Sequence, residues 1–133
     1  MLRLIAQDEE DLKVISAALQ DAVAKIGDIS FEHGRLTAAF NRFRWEEGGE
    51  RVRSALQLGC VLSVKSRKLR REAKAAVVEL LALTFEPGEA PGGAVVFTFA
   101  GGGDLRCEVE CIDAALVDLS APWPTPRKPE HQV

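Results

Sequence analysis

This chain is expected to fold as an α+β domain, with a bent antiparallel sheet of about seven strands, in its most curled form a partly open barrel, packed on one N-terminal helix. Three observations predict it. Apolar residues recur at three- and four-residue steps from Leu12 to Ile26, the stripe of a helix lying on a sheet. From Asp28 onward the period becomes two. Between Val95 and Val117 it alternates on either side of Gly101-Gly102-Gly103-Asp104, with Leu105, Cys107, Val109 and Cys111 on one face and Arg106, Glu108 and Glu110 on the other.

Composition sets the limits. With 133 residues, 47% hydrophobic and 28% charged, the chain has the make-up of an ordinary globular domain. We expect one domain over residues 1–120 and a Pro-rich tail over 121–133. Met1 to Ala6 runs straight into Asp8-Glu9-Glu10-Asp11, which does not suit a secretory signal. The richest apolar run, Ala75 to Phe85, is interrupted by Glu79 and falls short of the roughly 18 residues a membrane helix needs. A cytoplasmic protein with no membrane association is therefore expected.

In chain order, residues 2–6 form a short strand. Asp8 is the N-cap of a helix over 8–26, with acidic residues in its first turn complementing the dipole and Gly27 as its stop. Ile29-Ser30-Phe31 and Leu36 to Phe40 make a hairpin through His33-Gly34. Leu36, Ala38 and Phe40 share one face while Phe43 and Trp45 share the other, which predicts a bulge or bend near Asn41. Arg51 to Arg67 is too long for one strand and should break near Gly59; Val52, Leu56, Leu58, Cys60, Leu62 and Val64 are expected on one face. Residues 68–75 read as charged and irregular. Val77 to Glu86 returns to strand, Pro87 to Gly93 is a loop, and two strands follow on either side of the glycine triplet. The segment 29–34 echoes 83–88, each followed by strand, Gly-rich turn and strand, which suggests two related three-strand units.

Cys60, Cys107 and Cys111 are read as structural. On one strand Cys107 and Cys111 would lie roughly 13 Å apart, too far to bridge or to share a zinc ion. No cofactor or metal is expected.

Several segments carry a resemblance. They are Leu2 to Ala6 before the acidic helix start, Asn41-Arg42-Phe43-Arg44-Trp45-Glu46, Arg51-Val52-Arg53-Ser54, Phe85-Glu86-Pro87-Gly88, Phe99 to Gly103, and Pro129-Glu130-His131. As an ordered set spanning nearly the whole chain they resemble the bacterial domain-of-unknown-function family 2948. The resemblance implies a small bacterial single-domain protein with no established activity, and therefore no catalytic residues to transfer.

Charge is uneven: residues 1–35 carry −3, residues 36–74 carry +6 and residues 75–133 carry −6. In the basic middle, Arg42 with Arg44 and Arg51 with Arg53 are expected side by side on one sheet face, where they could grip phosphate or carboxylate. Overall acidity and the acidic flanks weigh against nucleic acid as the partner. The histidines, His33 and His131, lack a neighbouring nucleophile, and the glycine triplet is a turn rather than a phosphate loop. Glu108 and Glu110 are placed on one strand face, its wet side. Trp123, between Pro122 and Pro124, is a candidate partner-binding residue. The leading expectation is a non-catalytic module that binds a protein partner or self-associates through a sheet edge. The alternatives are an anion- or RNA-binding face at Arg42, Arg44, Arg51 and Arg53, and an enzyme with an unrecognised site.

Overall fold

The computed structural model describes residues 2–44 and 49–121, and the backbone of 123–124. Among these residues the fold is α+β: one α-helix and a large, bent antiparallel sheet that does not close. The strands are β1 (Arg3–Ala6), β2 (Val23–Lys25), β3 (Ile29–Glu32), β4 (Arg35–Phe43), β5 (Glu50–Leu58), β6 (Val61–Arg67), β7 (Val77–Pro87), β8 (Gly93–Phe99), β9 (Asp104–Val109), β10 (Ala114–Asp118) and β11 (Trp123–Pro124). These eleven exceed the seven expected, because segments read as continuous are broken and short pairings extend the sheet.

The sheet runs β1-β10-β5-β4-β2-β7-β8-β9-β6, with β3 also on β4 and β11 on β5. Its logic is an exchange. The meander β3-β4-β5 is followed by β6, which crosses to pair with β9; the meander β7-β8-β9 is followed by β10, which crosses to pair with β5. Where the crossing segments meet, the Gly59 amide donates to the Asp113 carbonyl at 2.8 Å and the Glu110 amide to the Cys60 carbonyl at 2.9 Å. The strand that follows the glycine triplet therefore stops at Val109 instead of continuing to Val117.

The helix α1 spans Glu9–Ala18, capped by the Asp8 side chain, which accepts from the Asp11 amide at 2.8 Å. It ends well before Ile26. Asp21 adopts φ 64° and its amide donates to the Leu80 carbonyl, while the Leu80 amide donates to Ala22, so the chain is recruited into the sheet and Val23–Lys25 becomes β2. Gly27 is not a helix stop: its amide donates to the Lys74 carbonyl, and a Cβ there would sit 3.0 Å from that oxygen. Leu12, Ile15 and Leu19 join Phe40, Leu56, Leu80, Phe97 and Leu116 in a single core.

Of the bulge or bend expected near Asn41, the bulge is absent. Register between β4 and β5 runs without interruption from Leu36↔Leu58 to Phe43↔Arg51, and the irregularities lie instead at Val61/Ser63 and Leu80/Ala82. The face assignment around Gly59 also changes. Cys60 has φ 56° and is exposed, so the phase shifts there: Val61 is buried and Leu62 points outward.

Candidate functional site

The continuous β4–β5 register decides where the predicted arginines go. Arg51 and Arg53 stand opposite Phe43 and Asn41, whereas Arg42 stands opposite Val52, so Arg42 leaves the other face of the sheet. The four are not gathered. Arg42 lies on the inward side with Leu36, Ala38 and Phe40, at 0% exposure. Its Nε donates to Ser54 Oγ and Asp118 Oδ1, both at 3.1 Å, and its Nη2 donates to Asp118 Oδ1 at 3.0 Å and Oδ2 at 3.1 Å. Ser54 Oγ donates to Asp118 Oδ1 at 2.7 Å and the Leu2 amide to Oδ2 at 2.9 Å. Burial alone would raise the Asp118 carboxyl, but the bonds from Ser54, Leu2 and Arg42, with the Arg42 charge, outweigh it and hold its pKa below the ordinary value. This network ties β4, β5 and β10 to the start of the chain.

The other predicted arginines are partly exposed. Arg44 Nη1 meets Glu50 Oε2 at 2.9 Å; Arg53 meets Asn41 Oδ1 and Asp28 Oδ2, each at 3.1 Å; Arg51 Nη1 donates to the Asn41 carbonyl at 3.4 Å. Trp123 and Pro124 pair through their backbone with Arg51 and Glu50; the Trp123 side chain, Trp45 and His131 fall outside the described residues.

The thiols occupy three environments. Cys107 is buried in the core, and burial with the Glu108 charge pushes its thiol up to about 12. Cys111 lies beyond the end of β9 rather than on it, partly buried, and faces Cys60 at the crossing; the hydrogen bond with Cys111 and its charge raise the Cys60 thiol. Glu108 and Glu110 likewise do not share a strand, since β9 ends between them. Among the described residues no group of three or more His, Cys, Asp or Glu side chains is placed to hold a metal.

A different surface has the form of a binding site. The outer face of β7-β8-β9-β6 curves into a groove of about 600 Å³. Its floor is small: Thr84, Val96 and Thr98. Its sides are charged in cross-strand rows, because Arg67 stands opposite Asp104 and Lys65 opposite Arg106. Arg67 donates to Asp104 Oδ2 from Nε at 3.0 Å and from Nη2 at 2.6 Å. Two like charges facing each other across strands repel. Arg106 is relieved by Glu86, which pairs with its Nη1, and by Glu108 Oε1, 2.9 Å from its Nε; these hydrogen bonds raise its pKa and keep it charged. Lys65 is exposed and carries no ion pair among the described residues. Nothing in the period-two pattern singled out this groove: it reads as the wet side of four strands, and only strand order assembles it.

The family described as "Protein of unknown function (DUF2948)" matches residues 2–131, and the chain belongs to it. No curated protein and no solved structure matches the chain.

Proposed function

We propose that this DUF2948 protein is a non-catalytic binding module of the bacterial cytoplasm that takes a protein segment of mixed charge into the groove over β7-β8-β9-β6. The observation that carries the reading is the groove itself: a concave sheet face of about 600 Å³ whose guanidinium groups are already set in carboxylate pairs. Such pairs at the surface are screened by solvent and worth little to the fold, so they can exchange partners when a segment docks. Alternating signs over a few ångströms favour a protein surface over a polyanion, which requires one sign throughout. Three unbridged thiols suit a reducing compartment.

The test compares capture from a native lysate by the wild-type chain, by an Arg67→Glu/Arg106→Glu variant and by a Lys13→Glu variant on the far helix. The expected result is a defined protein captured by the first and third and depleted roughly tenfold with the second. Equal capture by all three, or capture of no protein, overturns the reading. Salt-dependent binding of labelled RNA that survives the groove substitutions but fails on Arg51→Ala/Arg53→Ala would instead favour the basic sheet face.

A further inference from the structure

The sheet fails to close between β3 and β6. Each is an edge: β3 pairs with β4, β6 with β9, and at one end the gap between them is bridged by the Val61 amide, which donates to the Gly34 carbonyl at 2.9 Å. Beyond that bond a cavity of about 270 Å³ opens, just under the ~300–1,000 Å³ of many small-molecule sites. It reaches the core, since Leu36 and Leu105, only 1% and 4% exposed, form its floor. Ile29 and Phe31 of β3 and Val64 of β6 make the sides, with Phe31 left 41% exposed.

The mouth is different in character. Residues 68–76 cross from β6 to β7 as a strap, held where the Gly27 amide donates to the Lys74 carbonyl and the Ile26 amide to the Ala76 carbonyl, both at 2.9 Å. The strap lays Leu69 against the apolar wall and places Arg71 and Lys74 at the rim, both exposed. Neither has an ion pair among the described residues, and the neighbouring carboxylate of Glu72 lies by Arg70, at 3.9 Å. Two cations thus border a cleft whose walls are mainly apolar, with Ser30 and Ser66 also in its lining. The matching chemistry is one anionic head on an apolar body.

We propose that this seam binds a small carboxylate with an apolar body, aliphatic or aromatic, the hydrocarbon lying between Phe31 and Leu69 and the carboxylate on Arg71 and Lys74. The site is distinct from the groove, although the two adjoin at β6: Lys65 and Arg67 line only the groove, Val64 lines only the seam, and Ser66 borders both.

Titration calorimetry of the full chain with butanoate, hexanoate, octanoate and 3-phenylpropanoate, each beside its methyl ester, tests it. Affinity should rise about fourfold per added methylene until the cleft is filled. The esters should bind roughly tenfold more weakly, having lost the charge-assisted bonds. Arg71→Ala/Lys74→Ala, at exposed positions that leave the core intact, should remove the preference for acid over ester, while Arg67→Glu/Arg106→Glu should bind as the wild type does. No binding of any carboxylate at millimolar concentration, equal binding of acid and ester, inorganic phosphate binding as tightly as octanoate, or an unchanged Arg71→Ala/Lys74→Ala variant would each overturn the proposal. Failure here leaves the groove reading standing, since that one is tested on another face.

Discussion

Arg42 shows how one residue can reverse a local reading. Counting from Leu36, Ala38 and Phe40, period two carries position 42 inward, and a guanidinium there suggests a slipped phase because burying an unpaired charge is prohibitive. The phase does not slip. The charge is met by Asp118, 76 positions away, a separation at which no local pattern can announce a partner. Removing one member of a buried pair leaves the other uncompensated, so Asp118→Ala should cost about 3–5 kcal/mol in urea unfolding, and Arg42→Met/Asp118→Leu should recover most of it. The pH dependence has a definite sign. A carboxyl whose folded pKa is depressed contributes its full stability above the unfolded value, near 4, and loses it as pH falls through the lower folded value. Stability should therefore fall less steeply below about pH 4 in Asp118→Ala than in the wild type, measured as urea midpoints across pH.

Among the elements, the hairpins were legible and the helix end was not. His33-Gly34, with φ 49° and 72°, supplies the left-handed pair that a two-residue turn between β3 and β4 requires, and Gly101 and Gly102, with φ 90° and 96°, supply the positive φ values of the longer turn between β8 and β9. The start of α1 was equally readable from Asp8. Asp8→Ala should destabilise the protein by about 1 kcal/mol, seen as a lower midpoint in thermal or urea unfolding, through loss of the bond to the Asp11 amide. The end of α1 escaped because Leu19, Ala22, Val23 and Ile26 satisfy a helical stripe while Ala22 and Ala24 also satisfy a strand. Pairing with Leu80 and Glu79 settles the choice, and both lie on a strand more than fifty residues on.

At the level of the whole molecule, the exchange of β6 and β10 makes each meander depend on the other for its last strand. Neither can open alone without stripping β5 or β9 of a partner. The slowest amides of β5 and of β8 should accordingly share one opening free energy in native-state hydrogen exchange, and a difference of several kcal/mol between them would show that the halves unfold separately. The same exchange creates both candidate sites. Bringing β6 beside β9 completes the groove with Lys65 and Arg67, and it leaves β6 facing β3 across the unclosed seam. The echo between 29–34 and 83–88 falls at the start of these two meanders, the β3 and β7 strands.

Local order along the chain was enough to determine the α+β class, the capped helix start, the two hairpins and the break at Gly59, because each depends on side-chain period and turn stereochemistry over a few neighbours. Membership of the family was carried the same way, by short segments in a fixed order. Strand order, the inward turn of Arg42, the meeting of Cys60 with Cys111, and the assembly of groove and seam were decided only in three dimensions. Each depends on which distant backbone supplies a hydrogen-bond partner, and a pattern of period two records which face a side chain takes without recording which strand lies beside it.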